Sequence, residues 1–185
     1  LIQNFYIIGV PYQDIIAYID SNETINLSKS FNPEIISKFP KDIDNMNTIS
    51  DNLIIEHCFP NDFYIKKGGG KYAKQLHPFE FSFDNKNYQF LEKNRYLYSK
   101  IHFTCVKFYE SIKDYLELNN CIKNNNKNEN DINKEEISKK YDEYYISKVI
   151  CFSSLLSFSK ELFKILINIY DFYKYQKNNN IISYP

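Results

Sequence analysis

A run of three glycines followed by a lysine, Gly68-Gly69-Gly70-Lys71, is the chain's nearest approach to a phosphate-binding loop. In such a loop, backbone N–H groups and a lysine hold the phosphate. A P-loop also needs a glycine five residues before its Gly-Lys pair and a Ser or Thr after the lysine, but Ile65 and Tyr72 stand at these positions. We therefore interpret residues 66–74 as a mobile surface loop and predict no cofactor-binding residue in it.

Histidine and cysteine occur close together twice, as His57-Cys58 and as His102 with Cys105. Such residues could form a Cys2His2 zinc site or a Cys–His nucleophile. Both pairs lie in apolar runs that we interpret as strands, where adjacent residues and residues three apart point to opposite faces. We therefore expect buried thiols and edge or surface histidines, with no metal-ligating residue. The absence of a CxxC pair favours reduced thiols in a cytoplasmic protein for all four cysteines: Cys58, Cys105, Cys121 and Cys151.

Other catalytic patterns are weak in this sequence. No GxSxG nucleophile motif occurs. Three acids that could pair in space, Glu80, Glu110 and Glu117, are scattered along the chain, and we expect them on solvated faces of strands and helices. The sequence therefore predicts no catalytic residue.

Charge and composition limit the classes of partner. The 23 basic residues balance the 23 acidic residues, and Arg95 is the one arginine. Because arginine is the preferred side chain for phosphate and base edges, nucleic acid is not an expected partner. The hydrophobic fraction of 43% and the aromatic fraction of 17% predict a packed core. Charged residues within the last apolar stretch argue against a transmembrane helix: Lys160, Glu161, Lys164 and Asp171.

The first half of the chain predicts two strands and a short helix. Phe5 to Val10 is a continuous apolar run closed by Pro11, which is typical of a buried central strand. Asn32-Pro33 resembles a helix start and is followed by apolar residues as far as Phe39, which predicts a helix of about two turns. The apolar run from Asn52 to Phe59 ends at Pro60 and predicts a second strand.

The second half predicts an antiparallel meander followed by a long helix. Alternation in residues 79–83 predicts a strand, and residues 84–87 predict a turn after it. The apolar run over residues 97–108 predicts the last strand of this antiparallel meander. Residues 119–140 are nearly all Asn, Lys, Glu and Asp, and we expect a disordered insertion there. Residues 144–152 predict another strand. Apolar residues then recur at three- and four-residue steps from Leu155 to Tyr173, which predicts an amphipathic helix of about five turns.

The order of these segments resembles the upstream DENN region of Rab exchange factors, followed by the start of the core DENN region. Residues 33–40, PEIISKFP, are similar to that family's Pro-Glu-Ile-Leu-x-Arg/Lys-Tyr/Phe-Pro motif, and residues 55–60, IEHCFP, to its Phe-Cys-Phe-Pro segment. Residues 79–83, then Arg95-Tyr96, then residues 103–110 resemble its hairpin motifs. Residues 145–153, YISKVICFS, resemble its strand before the last helix.

The resemblance implies an α+β, longin-like fold, in which helices flank an antiparallel sheet and a long C-terminal amphipathic helix packs on it. It divides the chain into an upstream DENN sheet and short helix over 1–118, the insertion over 119–143, and a last strand and helix over 144–185 that begin the core DENN region. Because the sequence begins at Leu1 and stops in a polar stretch, we expect it to belong to a longer protein.

The function implied by the resemblance is that of the N-terminal lobe of a DENN-type guanine-nucleotide exchange factor in vesicle trafficking. The implied partners are a Rab-family small GTPase and the core DENN lobe of the same chain, with cytoplasmic location and peripheral association with vesicle membranes through the partner. Such factors release GDP by differential binding, so no covalent active site or cofactor is expected, and exchange requires the rest of the module. The alternative is a non-catalytic longin-type scaffold or adaptor lobe in a trafficking complex.

Overall fold

A computed structural model describes residues 2–22, 24–40, 49–61, 63–68, 71–84, 99–114 and 141–178. The long strands are β1 (Ile2–Gly9), β3 (Glu34–Phe39), β6 (His77–Asp84), β7 (Lys100–Ser111) and β8 (Tyr144–Ser154). Three two-residue strands are β2 (Ser30–Phe31), β4 (Phe63–Tyr64) and β5 (Lys66–Lys67). The helices that lie within the described ranges over their full length are α1 (Tyr12–Asp20), α2 (Asp51–Cys58) and α3 (Ser159–Asn178).

The main sheet has the order β3-β1-β8-β7-β6, and all of its strand pairs are antiparallel. β8 is central: it pairs with β7 along one edge and with β1 along the other. The short strand β5 pairs with Tyr144 and Tyr145, before β1 joins β8 at Val149. β2 and β4 form a separate two-stranded ladder. The fold class is therefore α+β with a mostly antiparallel sheet.

Helices cover both faces of this sheet. On one face, α1 and α2 bury apolar residues such as Ile15 and Ile54 against Tyr6 of β1 and Phe103 of β7. On the other face, Leu166 belongs to a second buried cluster that α3 forms mainly with β7 and β8. None of the described helices is long and apolar enough to cross a membrane.

Four of the predicted strands are confirmed. β1 lies inside the sheet between β3 and β8, as the apolar run over residues 5–10 predicts. β6 pairs with β7 in regular register over eight residues, and the alternation of residues 79–83 places its phenylalanines on the face towards α2. β8 extends the strand predicted over residues 144–152 to Ser154.

The helix predicted after Asn32-Pro33 is wrong, because this segment is strand β3. Its residues pair with β1 from Gly9 opposite Glu34 to Phe5 opposite Phe39. The adjacent β-branched residues Ile35 and Ile36 favour a strand, and pairing along the edge of β1 outweighs the capping pattern. Ile36 is the extra residue of a β-bulge, since Ser37 and Ile35 pair with consecutive residues of β1.

The strand predicted over residues 52–59 is also wrong, because these residues form α2. The Ser50 hydroxyl accepts a hydrogen bond from the Leu53 backbone N–H at 3.3 Å, and Asp51 lies in the first turn. These are the interactions of a capped helix N-terminus. Ile54 and Cys58, four residues apart, are the buried positions. The apolar run therefore contains the residues of one buried helical face, and the polar residues of the run lie on the other side of the helix.

Two helices and the glycine-containing loop differ in part from the predictions. Helix α1 was not predicted, although its buried residues Ile15 and Ile19 show helical spacing. α3 begins at Ser159, after the predicted start at Leu155. The loop predicted over residues 66–74 contains strand β5 at its start and a short helical turn at Lys71. The turn residues 85–87 and the insertion over 119–140 lie outside the described residues.

Candidate protein-binding surface

Helix α3 is held on the sheet by large apolar side chains. Leu162, Leu166 and Tyr170 recur every four residues, lie on one helical face and are buried. The ring of Tyr170 packs on Phe108 of β7, with 4.9 Å between the ring centroids. Full burial of a leucine stabilises a fold by about 1.5–3 kcal/mol. Packing against β7 and β8 therefore fixes which side of α3 faces the sheet.

A buried polar contact fixes the position of α3 more narrowly. Lys148 Nζ of β8 lies 2.7 Å from Glu110 Oε2 of β7, and the two side chains are 12% and 5% exposed. The Tyr173 hydroxyl of α3 donates a hydrogen bond to Glu110 Oε1. The expectation that Glu110 lies on a solvated face is therefore wrong, because α3 covers this carboxylate. Charged hydrogen bonds are directional, so they set the rotation of α3 as well as its distance.

The contact of Lys174 shows which flank of α3 faces each edge of the sheet. Lys174 Nζ donates to the backbone carbonyl of Ala73, just before β6, so this flank faces the β6 edge. Phe172 precedes Lys174 by two residues, which is a rotation of about 200° around the helix. Phe172 therefore lies on the opposite flank, towards β1 and β3.

The flank that carries Phe172 is apolar and exposed. Ile165 and Phe172 are spaced by seven residues and so fall on one side of the helix axis. Phe158 lies seven residues before Ile165, directly before the first residue of α3, and its carbonyl accepts a hydrogen bond from the Leu162 N–H. The exposed fractions of Phe158, Ile165 and Phe172 are 42%, 42% and 63%. We call these three residues the α3 stripe. Several large apolar side chains that stay exposed along one side of a helix make that side a candidate interaction surface.

Strand β3 also has exposed apolar residues on the face of the sheet that α3 covers. Phe39 is paired with Phe5, and directly opposed residues of antiparallel strands share a face. Phe5 packs on Phe152 and belongs to the cluster beneath α3, so Phe39 also lies on the α3 face. Phe39 is 71% exposed and the bulge residue Ile36 is 43% exposed. We call the α3 stripe together with Ile36 and Phe39 the α3–β3 surface.

Gly9 allows the side chains beside this surface to pack closely. A Cβ at Gly9 would lie 3.0 Å from Lys148 Cγ and 3.3 Å from Ile36 Cδ1. The stem of Lys148 therefore lies close to Gly9 of β1, next to Ile36, while its amine pairs with Glu110 of β7. Any larger residue at Gly9 would displace one of these two side chains. The ion pair beneath α3 and the bulge of β3 are thus packed around one glycine.

The glycine run does not form a phosphate-binding loop within its described part. Gly68 N–H donates to the Glu143 carbonyl at 2.9 Å, which ties it to the residues before β8. Gly68 has φ of 156°, which favours glycine, and a Cβ there would lie 2.8 Å from the ring of Tyr72. A larger residue at position 68 would therefore clash with the Tyr72 ring. Gly69 and Gly70 lie outside the described residues.

The histidine–cysteine pairs are separated, although the reason predicted for the first pair is wrong. His57 and Cys58 lie on helix α2, where Cys58 points into the core and His57 stays exposed against Phe81 and Phe83. His102 and Cys105 lie on β7, three residues apart as predicted. Within the described ranges, no group of three or more His, Cys, Asp or Glu side chains is arranged to hold a metal ion.

Two strand residues have pKa values shifted towards the neutral form. Burial lowers the pKa of His102, and Lys100 nearby adds to this. Burial also lowers the pKa of Lys107, whose Nζ lies 4.8 Å from the centre of the Phe59 ring, with a further contribution from Lys66. Neither residue lies in a cluster of catalytic groups among those described. Of the remaining acids, Glu80 is exposed on β6 and Glu117 lies outside the described residues.

The candidate contact residues that the sequence did not reveal are those of the α3–β3 surface. The seven-residue spacing of the α3 stripe was present in the sequence, but only the fold shows which apolar residues of the helix stay exposed. Comparison of the chain with protein-family models, with curated proteins and with solved structures gives no match.

Proposed function

We propose that this chain is a protein-binding lobe with a longin-like fold, and that it forms the N-terminal lobe of a DENN-type guanine-nucleotide exchange factor for a Rab-family GTPase. Its role is binding, through the α3–β3 surface. The observation that carries the proposal is the exposure of Phe39 and Phe172 on the same side of the sheet. Large aromatic residues are enriched at protein interfaces, because burial against a partner removes the cost of exposing them to water.

The architecture supports the longin-like part of the proposal. An antiparallel sheet lies between helices, and the last helix α3 packs on it through Leu162 and Leu166. The DENN part rests on the ordered sequence motifs alone. In this arrangement the motif at residues 33–40 supplies strand β3, and the motif at residues 55–60 supplies the end of α2. The first of these motifs therefore contributes Ile36 and Phe39 directly to the proposed interface.

Exchange by such a lobe needs differential affinity. A binding partner accelerates GDP release when it binds the nucleotide-free GTPase more tightly than the GDP-bound form. A difference of tenfold in affinity corresponds to about 1.4 kcal/mol. The core DENN lobe completes the exchange surface, so this chain alone is expected to prefer the nucleotide-free GTPase only slightly and to accelerate GDP release little.

The test compares binding of the chain to a Rab panel in GDP-bound and nucleotide-free forms. We expect at least one Rab to bind, with the nucleotide-free form preferred. Phe172→Asp and Phe39→Asp are each expected to weaken this binding by at least tenfold, since burial of an unpaired carboxylate at an interface is costly. Leu27→Asp is the matched control, because Leu27 is 43% exposed but lies in the loop after α1.

The possible outcomes separate the proposal from its alternative. Equal affinity for both nucleotide states would favour a non-catalytic scaffold or adaptor lobe. No binding to any Rab would reject the GTPase as partner. Equal loss for Leu27→Asp and Phe172→Asp would reject the α3–β3 surface as the contact region. Release of fluorescent GDP, measured with and without this lobe in the full-length protein, then tests exchange itself.

A further inference from the structure

Three cysteine side chains meet in the core between the sheet and α2. Cys105 of β7 and Cys151 of β8 are both 0% exposed, and their Sγ atoms lie 2.7 Å apart. Cys58 of α2 is 3% exposed and lies close enough to Cys105 to contribute to the raised pKa of that thiol. The three thiols are free in this structure. Their closeness is not needed for packing alone, since any small apolar side chains could fill the same space.

The strand register places Cys105 and Cys151 in the geometry of a potential disulfide. The two residues are directly opposed in the antiparallel β7–β8 ladder. Opposed residues in such ladders have Cα atoms about 4.5–5.5 Å apart, and disulfides span Cα distances of about 4.4–6.8 Å. A bond between these two sulfurs therefore needs rotation of side chains but no movement of the strands.

The third thiol is placed differently. Cys58 approaches the pair from a helix, and no hydrogen-bonded ladder fixes the distance between α2 and β7. A bond from Cys58 to Cys105 therefore has no opposed strand pair to hold its two ends at disulfide distance. Cys105 and Cys151 are therefore the favoured partners, and Cys58 remains as a thiol.

We propose that Cys105 and Cys151 form an intramolecular disulfide when the chain folds in the presence of a low-molecular-weight disulfide such as oxidised glutathione. One cysteine thiolate attacks oxidised glutathione, which gives a mixed disulfide and releases one glutathione. The second thiolate attacks the protein sulfur of the mixed disulfide and releases the second glutathione. The two protein thiols thus lose two electrons and two protons, and one oxidised glutathione becomes two reduced glutathiones.

Burial determines when this reaction can take place. In the folded protein, burial raises the pKa of both thiols, and the neighbouring thiols raise that of Cys105 further. The reactive thiolate is therefore scarce once the core is closed, and the reagent cannot reach it. The bond forms during folding, while β7 and β8 are coming together. After folding, the same burial protects the disulfide from reduction.

The bond links two strands that are distant in sequence. Cys105 and Cys151 are 46 positions apart, and the segment between them includes the Asn- and Lys-rich residues 119–140. Closing a loop of this length restricts the unfolded chain, and in the loop-entropy treatment the midpoint of thermal unfolding rises by about 8–16 °C. The redox state during folding would therefore set the thermal stability of the sheet.

The test uses the full chain with Cys121→Ser, which removes the one cysteine outside the described residues. Reduced, unfolded protein is refolded in a glutathione redox buffer, and a second sample is refolded with excess dithiothreitol. Free thiols are blocked with N-ethylmaleimide, and disulfide-linked peptides are mapped by mass spectrometry. We expect the Cys105–Cys151 peptide pair as the main product, blocked Cys58, and a higher unfolding midpoint than in the dithiothreitol sample.

Two variants keep the proposal open to refutation. Cys58→Ser must form the same disulfide to the same extent, whereas Cys151→Ala must show no intramolecular bond at Cys105. A main product that contains Cys58 would overturn the proposal. So would complete blocking of all three thiols after refolding in oxidised glutathione, in protein whose circular dichroism spectrum is that of the folded chain.

Discussion

Breaking the ion pair beneath α3 tests whether that pair positions the helix. Lys148→Met keeps most of the aliphatic stem over Gly9 but leaves Glu110, 5% exposed, without its cation at 2.7 Å. Removing one partner of a buried ion pair costs about 3–5 kcal/mol, because the remaining charge is desolvated and uncompensated. For a chain of this size, a loss of that magnitude lowers the thermal midpoint by roughly 6–20 °C.

The same substitution at an exposed pair provides the control. Lys67 Nζ lies 3.7 Å from Glu143 Oε2, and their side chains are 50% and 62% exposed. Exposed pairs contribute about 0–1 kcal/mol, so Lys67→Met is expected to have a small effect. Both variants replace a lysine by methionine, so the difference between their losses of stability measures the effect of burying the ion pair.

The assay is urea unfolding followed by far-ultraviolet circular dichroism and tyrosine fluorescence, since the chain has 17 tyrosines and no tryptophan. The double variant Glu110→Leu/Lys148→Met is expected to recover most of the stability lost by Lys148→Met, because apolar replacement of a whole buried pair is often neutral. A loss below about 1 kcal/mol for Lys148→Met, equal to that for Lys67→Met, would refute the argument that this pair is buried and structural.

Three further predictions follow from single contacts. Leu166→Ala should lower the free energy of unfolding by about 2–5 kcal/mol, whereas Ile165→Ala on the exposed stripe should change it by less than about 1 kcal/mol, both in urea titrations. Ser50→Ala should cost about 1 kcal/mol in the same assay because it removes the cap of α2, and Ser50→Gly should cost less. Burial raises the pKa of Tyr6 from 10.0 to about 12, so the folded state keeps this proton while the unfolded state loses it. Stability should therefore fall between pH 10 and pH 12, and Tyr6→Phe should make that fall smaller; an unchanged pH profile would contradict this assignment.

The sequence correctly predicts the strands whose pattern of apolar residues follows from their place in the sheet. Residues 79–83 alternate because one face of β6 packs on α2, and the apolar run of β8 is long because that strand is central. The segments at residues 34–39 and 51–58 were assigned the wrong way round. In the first, Pro33 is typical of a helix start, but pairing with strand β1 decides the conformation. In the second, the apolar run is typical of a strand, but the cap at Ser50 and the burial of one face favour a helix.

The candidate surface was less predictable than the fold. Apolar residues on α3 could be counted in the sequence, but Leu166 and Ile165 are neighbours with 0% and 42% exposure. Which of them faces water depends on the rotation of the helix, which the buried Glu110 and Tyr173 help to set. Glu110 itself has no local signature of burial, since its cation Lys148 comes from a strand 38 positions later in the sequence. Such long-range pairing is outside the reach of local patterns.

The central position of β8 has a consequence for the order in which this protein folds. The pairs β3–β1 and β7–β6 are each made from neighbouring segments, but β8 joins them and comes last among the strands. During synthesis, the inner edges of β1 and β7 therefore stay unpaired until residues 144–154 leave the ribosome. Contacts between β1 and β8 span almost 150 residues, so we expect slow closure of the sheet and a period in which a chaperone, or another nascent chain, could occupy the open edges.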